Sequence, residues 1–91
     1  MRSGPNLLLM KAFAVELKAR RNALNISQEE LAHRCMVNRT YVAKLELAQN
    51  QPSLSVLFNL ATGLEVELPD LIEQTLERYK KEAQLIKHLD A

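Results

Sequence analysis

Four side chains able to hydrogen-bond a polar surface, Arg39, Thr40, Tyr41 and Lys44, fall within the eight-residue stretch 39–46. If that stretch is helical, Arg39, Thr40, Ala43 and Lys44 share an outward face, and Val42 and Leu45 point the other way. A guanidinium, a hydroxyl and an ammonium interrupted only by a methyl group make a rod that the major groove of duplex DNA can admit. Arg can take two acceptors of guanine, and Thr can touch a thymine methyl or a hydrogen-bonding base edge. Tyr41 suits either the rim of a core or a contact with backbone and base. The plain alternative for the whole set is a solvated charged helix face.

The residues ahead of this stretch are suited to holding it. Ser27 stands before Gln28, Glu29 and Glu30 in the Ser-x-x-Glu pattern that closes orphan amides at a helix start. Leu31, Ala32 and Cys35 then form a small apolar inner face, with Gln28 and Arg34 off it. The pattern breaks after Cys35, Val37 is the apolar residue of a turn, and Asn38 supplies a second N-cap. Two short helices joined by a tight turn are therefore predicted over 27–46. Exposed amides at the first helix start favour an anion, so Ser27 and Gln28 are expected to meet phosphate.

The stretches ISQEELA, VNRTYVAKLE and QPSLSVLFNLATGLEV resemble the phage-repressor (Cro and repressor, XRE-family) helix-turn-helix over roughly residues 10 to 72. The RTYV run and the ending GLEV also resemble the small controller proteins of restriction-modification systems. The resemblance implies base-reading positions at Arg39, Thr40, Tyr41 and Lys44, and phosphate contacts from Asn50 and Gln51. It further implies a pair between Arg21 and Glu46 that fixes the reading helix and can present the Arg21 guanidinium to a phosphate. Three positions depart from the family pattern: Met36, Ala48 and Glu65 stand where Gly is common, which bears on local loop shape.

The remaining segments read as scaffold. Ninety-one residues suit one domain. Hydrophobic residues make up 47% against 4% aromatics and no Trp, so the core must be aliphatic, which favours packed helices. The expected fold is all-α: a five-helix, repressor-like DNA-binding domain spanning 1–91, its core at about 6–72 and its C-terminal helix extended over about 70–89. Met1 to Gly4 reads as a disordered start. Asn6 is the candidate cap of a first helix running to about Leu24, with a stripe of Leu9, Phe13, Leu17 and Leu24, and Asn25 ends it. Leu47 to Pro52 reads as a polar loop. Ser53 caps a fourth helix whose apolar face is Leu54, Leu57, Leu60, Ala61 and Leu64, weakened by Gly63 unless close packing requires it. Val66 to Leu68 with Pro69 reads as a break before the last helix.

In that last helix Ile72, Leu76, Tyr79, Ala83 and Ile86 alternate spacings of four and three, the seam pattern of helices packed side by side. Leu71, Leu85 and Leu89 widen the stripe. The seam, with Leu68 and Leu71, is the expected homodimer surface; the alternative is packing within the monomer. A dimer is expected because one reading helix spans only a few base pairs, and two half-sites about one helical turn apart are needed for useful specificity.

The formal net charge is only +1, but residues 1–50 hold eight Lys or Arg against four Asp or Glu, and residues 51–91 hold four against seven. A basic half followed by an acidic half fits a molecule that meets phosphate on one side. The apolar run Leu7 to Met10 is far shorter than the roughly 20 residues of a spanning helix or the 7 to 15 of a signal-peptide core. One cysteine leaves no internal disulfide, which suits a reducing cytoplasm. His33 and Cys35 are too few for zinc, His88 is remote, and no catalytic constellation is present. The expected function is a cytoplasmic, sequence-specific regulator of transcription in a bacterium or phage, binding double-stranded DNA as a homodimer on a palindromic operator. No enzyme activity, cofactor, metal, membrane or small-molecule ligand is expected. The alternative is an antitoxin-like module whose acidic half holds a basic toxin while the basic half binds its own operator.

Overall fold

The computed structural model describes residues 4–90 and contains five helices, with no strand among the described residues: α1 (Leu7–Ala23), α2 (Gln28–Cys35), α3 (Arg39–Glu46), α4 (Leu54–Gly63) and α5 (Leu68–Asp90). The expected disordered start lies, through residue 3, outside the described residues.

Helix starts follow local side-chain chemistry. Asn6 accepts from the Leu9 amide at 3.0 Å, Ser27 from Glu30 at 3.0 Å, Asn38 from Tyr41 at 2.8 Å and Ser53 from Val56 at 3.2 Å. Each cap satisfies one amide that the helix leaves without a partner. The Glu30 carboxylate is engaged with Arg34 at 3.0 Å, so the box at Ser27 works through its serine half. The last helix starts earlier than the sequence suggests. Pro69 sits inside the first turn of α5, where its missing N–H costs nothing, and Glu67 accepts from Leu71 at 3.2 Å.

Helix ends share one backbone device. Asn25, Met36, Ala48 and Glu65 take left-handed φ values of 58°, 59°, 58° and 62°. The residue after each donates back to the carbonyl five positions earlier: Ile26 to Arg21, Val37 to Ala32, Gln49 to Lys44 and Val66 to Ala61. These are Schellman closures made without glycine. The departures at Met36, Ala48 and Glu65 therefore leave the turns in the usual shape and carry strain of about 1 kcal/mol or more each.

Phe13, Leu17, Leu31, Ala32, Cys35, Val42, Leu45, Leu60, Ala61, Leu64 and Leu71 form one core to which all five helices contribute. Two expectations about faces are corrected. Leu54, read as part of the inner face of α4, is 77% exposed: it is the first residue of the helix, at the end of the stripe, while Leu60, Ala61 and Leu64 are buried and Leu57 packs partly buried against the core as expected. Leu71, read as a dimer contact, is fully buried against the monomer's own core. Gly63 is explained by packing: a Cβ there would lie 2.9 Å from the Cys35 Sγ. Cys35 is a buried core thiol that donates to the Asn59 carbonyl at 3.4 Å, and burial pushes its pKa up to about 11.

Candidate nucleic-acid interface

Helix α3 is held by two nonpolar anchors and one charged clamp. Val42 and Leu45 are buried at 0% and 1% exposure, which fixes the roll of α3 about its axis. Arg39, Thr40 and Lys44 are left exposed, Ala43 is half-buried, and Tyr41 packs half-buried against the core edge.

The clamp closes on Glu46 at the C-terminal end of α3. Arg21 Nε donates to Glu46 Oε2 at 2.6 Å and Arg21 Nη2 to Oε1 at 3.0 Å, a bidentate pair joining the end of α1 to the end of α3. Arg21 Nη1 also donates to the Ile26 carbonyl at 2.9 Å. These three bonds give Arg21 its positional role and leave two of its five N–H groups, on a side chain 12% exposed, for the phosphate contact that the resemblance implies. Gln28 lies off the apolar face of α2 as expected, and its Nε2 donates to Glu46 Oε1 at 2.9 Å, which ties the start of α2 into the clamp. Burial alone would raise the Glu46 pKa, but the hydrogen bonds from Arg21 and Gln28 outweigh it and hold the carboxyl below its ordinary range.

A second clamp was not legible beforehand. Glu16 is 5% exposed and its carboxylate bridges Arg20 Nε at 2.6 Å and Arg78 Nε at 2.7 Å, pinning α5 onto α1. The only local signal was the Glu16–Arg20 spacing of one helical turn; Arg78 lies 62 positions away. Desolvation again pushes this carboxyl up, and the two arginine hydrogen bonds pull it below its ordinary value. Arg34 is committed too, donating to Glu30, to Glu65 and to the Gly63 carbonyl that ends α4.

These pairings change the charge picture. Among the described cations of residues 4–50, Arg20, Arg21 and Arg34 are matched by carboxylates, whereas Lys11, Lys18, Arg39 and Lys44 have no ion-pair partner. The uncommitted charge of the motif is thus concentrated on the outer face of α3. Asn50 is half-buried and Gln51 exposed in the loop after α3, both on the rim of an apolar groove. Ser27 is exposed at the start of α2. No group of three or more His, Cys, Asp or Glu side chains converges among the described residues. No described helix is long and apolar enough to cross a membrane.

Two short helices joined by a left-handed turn, the second buried on one side and cationic on the other, define a helix-turn-helix domain. The helix-turn-helix family profile matches residues 17–71, and the chain belongs to that family. It is similar to the control protein C.SmaI of Serratia marcescens, with 33% identity over 64 residues, 70% of this chain and 76% of that protein. The restriction-modification controller protein C.AhdI from Aeromonas hydrophila superposes with a TM-score of 0.66 at 35% identity, covering 68% of this chain and 94% of that one. The fold is also that of the controller protein C.Esp1396I, whose tetramer has been solved in complex with its natural 35 base-pair operator; the TM-score is 0.72 at 24% identity, over 78% of this chain and 93% of that one.

Proposed function

We propose that this protein is a sequence-specific, double-stranded-DNA-binding regulator of transcription that acts in the cytoplasm as a homodimer on a palindromic operator, with α3 in the major groove. The observation that carries the reading is the division of α3. Val42, Leu45 and Glu46 are fixed to the scaffold, and Arg39, Thr40 and Lys44 stand exposed with both cations unpaired. Arg39 reads guanine through its two-donor fork, Thr40 a neighbouring pair, and Lys44 a further acceptor or phosphate. Tyr41, half-buried at the core edge, reaches the groove only with its phenol end. Amides at the start of α2 beside Ser27, and the side chains of Asn50 and Gln51, grip the phosphates on either side.

The relatives support this reading, since they are control and controller proteins and one fold neighbour was crystallised on its operator. They lend nothing to the antitoxin-like alternative or to an enzyme, a class to which the family does not belong. Selection of bound duplexes from a random pool tests the proposal directly: it should return two inverted half-sites about one helical turn apart. A selected pool without any shared motif would end it.

A further inference from the structure

Resting on the homodimer reading above, we propose that two copies join through α5, laid antiparallel against α5 of the second copy with Glu73 opposite Lys87 at both ends of the seam. Ile72, Leu76, Tyr79, Ala83 and Ile86 keep a four-three spacing on one side of the helix, and none of them is buried in the monomer; Leu76 is 40% and Ile86 46% exposed. The side turned to the monomer core is a different one, occupied by Leu71 and Thr75 at 0% and 4% exposure. At its lower end the seam runs into a groove where Ile72 and Leu76 face Leu9, Met10, Phe13 and Leu57. At its upper end no residue from Lys80 to Leu89 is buried, and Leu85 and Leu89 are 58% and 81% exposed. The exposed apolar end of one copy therefore matches the apolar groove of the other.

Charge selects the occupant and its direction. Glu73, Lys80 and Lys87 recur every seven residues along the open flank of the seam, and all three are exposed. In an antiparallel pair this flank meets its own copy, so that Glu73 opposes Lys87 twice, Leu76 packs near Ile86, and Tyr79 near Ala83. Lys80 meets Lys80 at the two-fold axis, the single like-charge contact of the flank. A parallel pair would set the open flank against the side carrying Thr75, which the monomer already covers. The antiparallel arrangement also opposes the first half of α5, where Asp70, Glu73 and Glu77 outnumber Arg78, to a second half where Lys80, Lys81 and Lys87 outnumber Glu82 and Asp90.

Sedimentation of the full-length chain across a concentration series at low salt tests this register. Glu73→Lys and Lys87→Glu should each weaken self-association about tenfold, because each turns two attractions into two repulsions. An equimolar mixture of the two single variants should recover wild-type affinity to within about twofold, since both contacts are then complementary in the mixed dimer. The double variant should recover it as well. If both single variants dimerise like wild type and Phe58→Asp, on the exposed face of α4, yields monomers, the α5 register is wrong and the homodimer stands. A wild-type chain that stays monomeric throughout, alone and on a selected duplex, would overturn both.

Discussion

The two ends of the clamp-and-rod arrangement use the same functional group to opposite effect. Arg21 is 12% exposed and gives its donors to Glu46 and the Ile26 carbonyl, whereas Arg39 is exposed and has no carboxylate partner. A guanidinium with most of its donors spent inside the fold can set an angle but has little to offer a base. One whose fork is free can read a base, and only if its own helix is held still. Under the proposed function, positioning belongs to the C-terminal end of α3 and reading to its outer face, with Val42 and Leu45 between them.

The strongest way to break that division is Glu46→Ala. It leaves Arg21 charged and nearly buried without its partner and removes the acceptor of Gln28, so unfolding in urea should show a loss of about 3 kcal/mol or more. DNA affinity should fall for all sequences alike, because the angle of α3 is lost rather than one contact. Arg39→Ala is the mirror experiment. It should leave the urea midpoint within about 0.5 kcal/mol of wild type while costing about 1 to 3 kcal/mol of specific binding and relaxing preference at one base position, as measured by competition between duplexes. A stability loss at Arg39 matching that at Glu46 would erase the distinction.

Smaller effects sharpen it. Met36 holds the turn between α2 and α3 at φ 59° while its side chain is 83% exposed, so Met36→Gly removes strain and little packing. The gain should be about 1 kcal/mol in thermal or urea unfolding, with operator affinity unchanged. The smallest effect lies in acid. Glu46 and Glu16 are both held below the ordinary carboxylate range, so each stabilises the fold fully above about pH 4.3, the unfolded-state value. That contribution disappears as pH falls through the lower folded-state values. A stability profile from pH 6 to 3 should therefore decline at its acid end, and Glu46→Gln should flatten part of the decline.

Much of the molecule was legible from short-range chemistry. The caps at Asn6, Ser27, Asn38 and Ser53, the two-helix motif and the outward face of α3 depend on residues within about one turn of each other, and the structure places them as the spacing implies. The glycine-free turns at Met36, Ala48 and Glu65 left loop shape open from sequence, because a left-handed residue is set by the closure of the helix before it and not by its own preference. The faces of α4 and α5 were harder still. Leu54 and Leu57 are chemically alike, as are Leu71 and Ile72, and periodicity allows a stripe wider than the core can cover.

What the sequence by itself determined is where the four capped helices begin, that one face of α3 is cationic, and that an aliphatic core must bury the rest, since capping and helical periodicity are decided among near neighbours. Only the tertiary structure decided that Gln28 joins the Arg21–Glu46 pair implied by the family resemblance, that Glu16 reaches Arg78, and that Leu71 faces inward while Leu54 faces out. The polar contacts among these join residues 18 to 62 positions apart in the chain. A buried carboxylate takes whichever donors packing delivers to it, and no local pattern specifies which ones those will be.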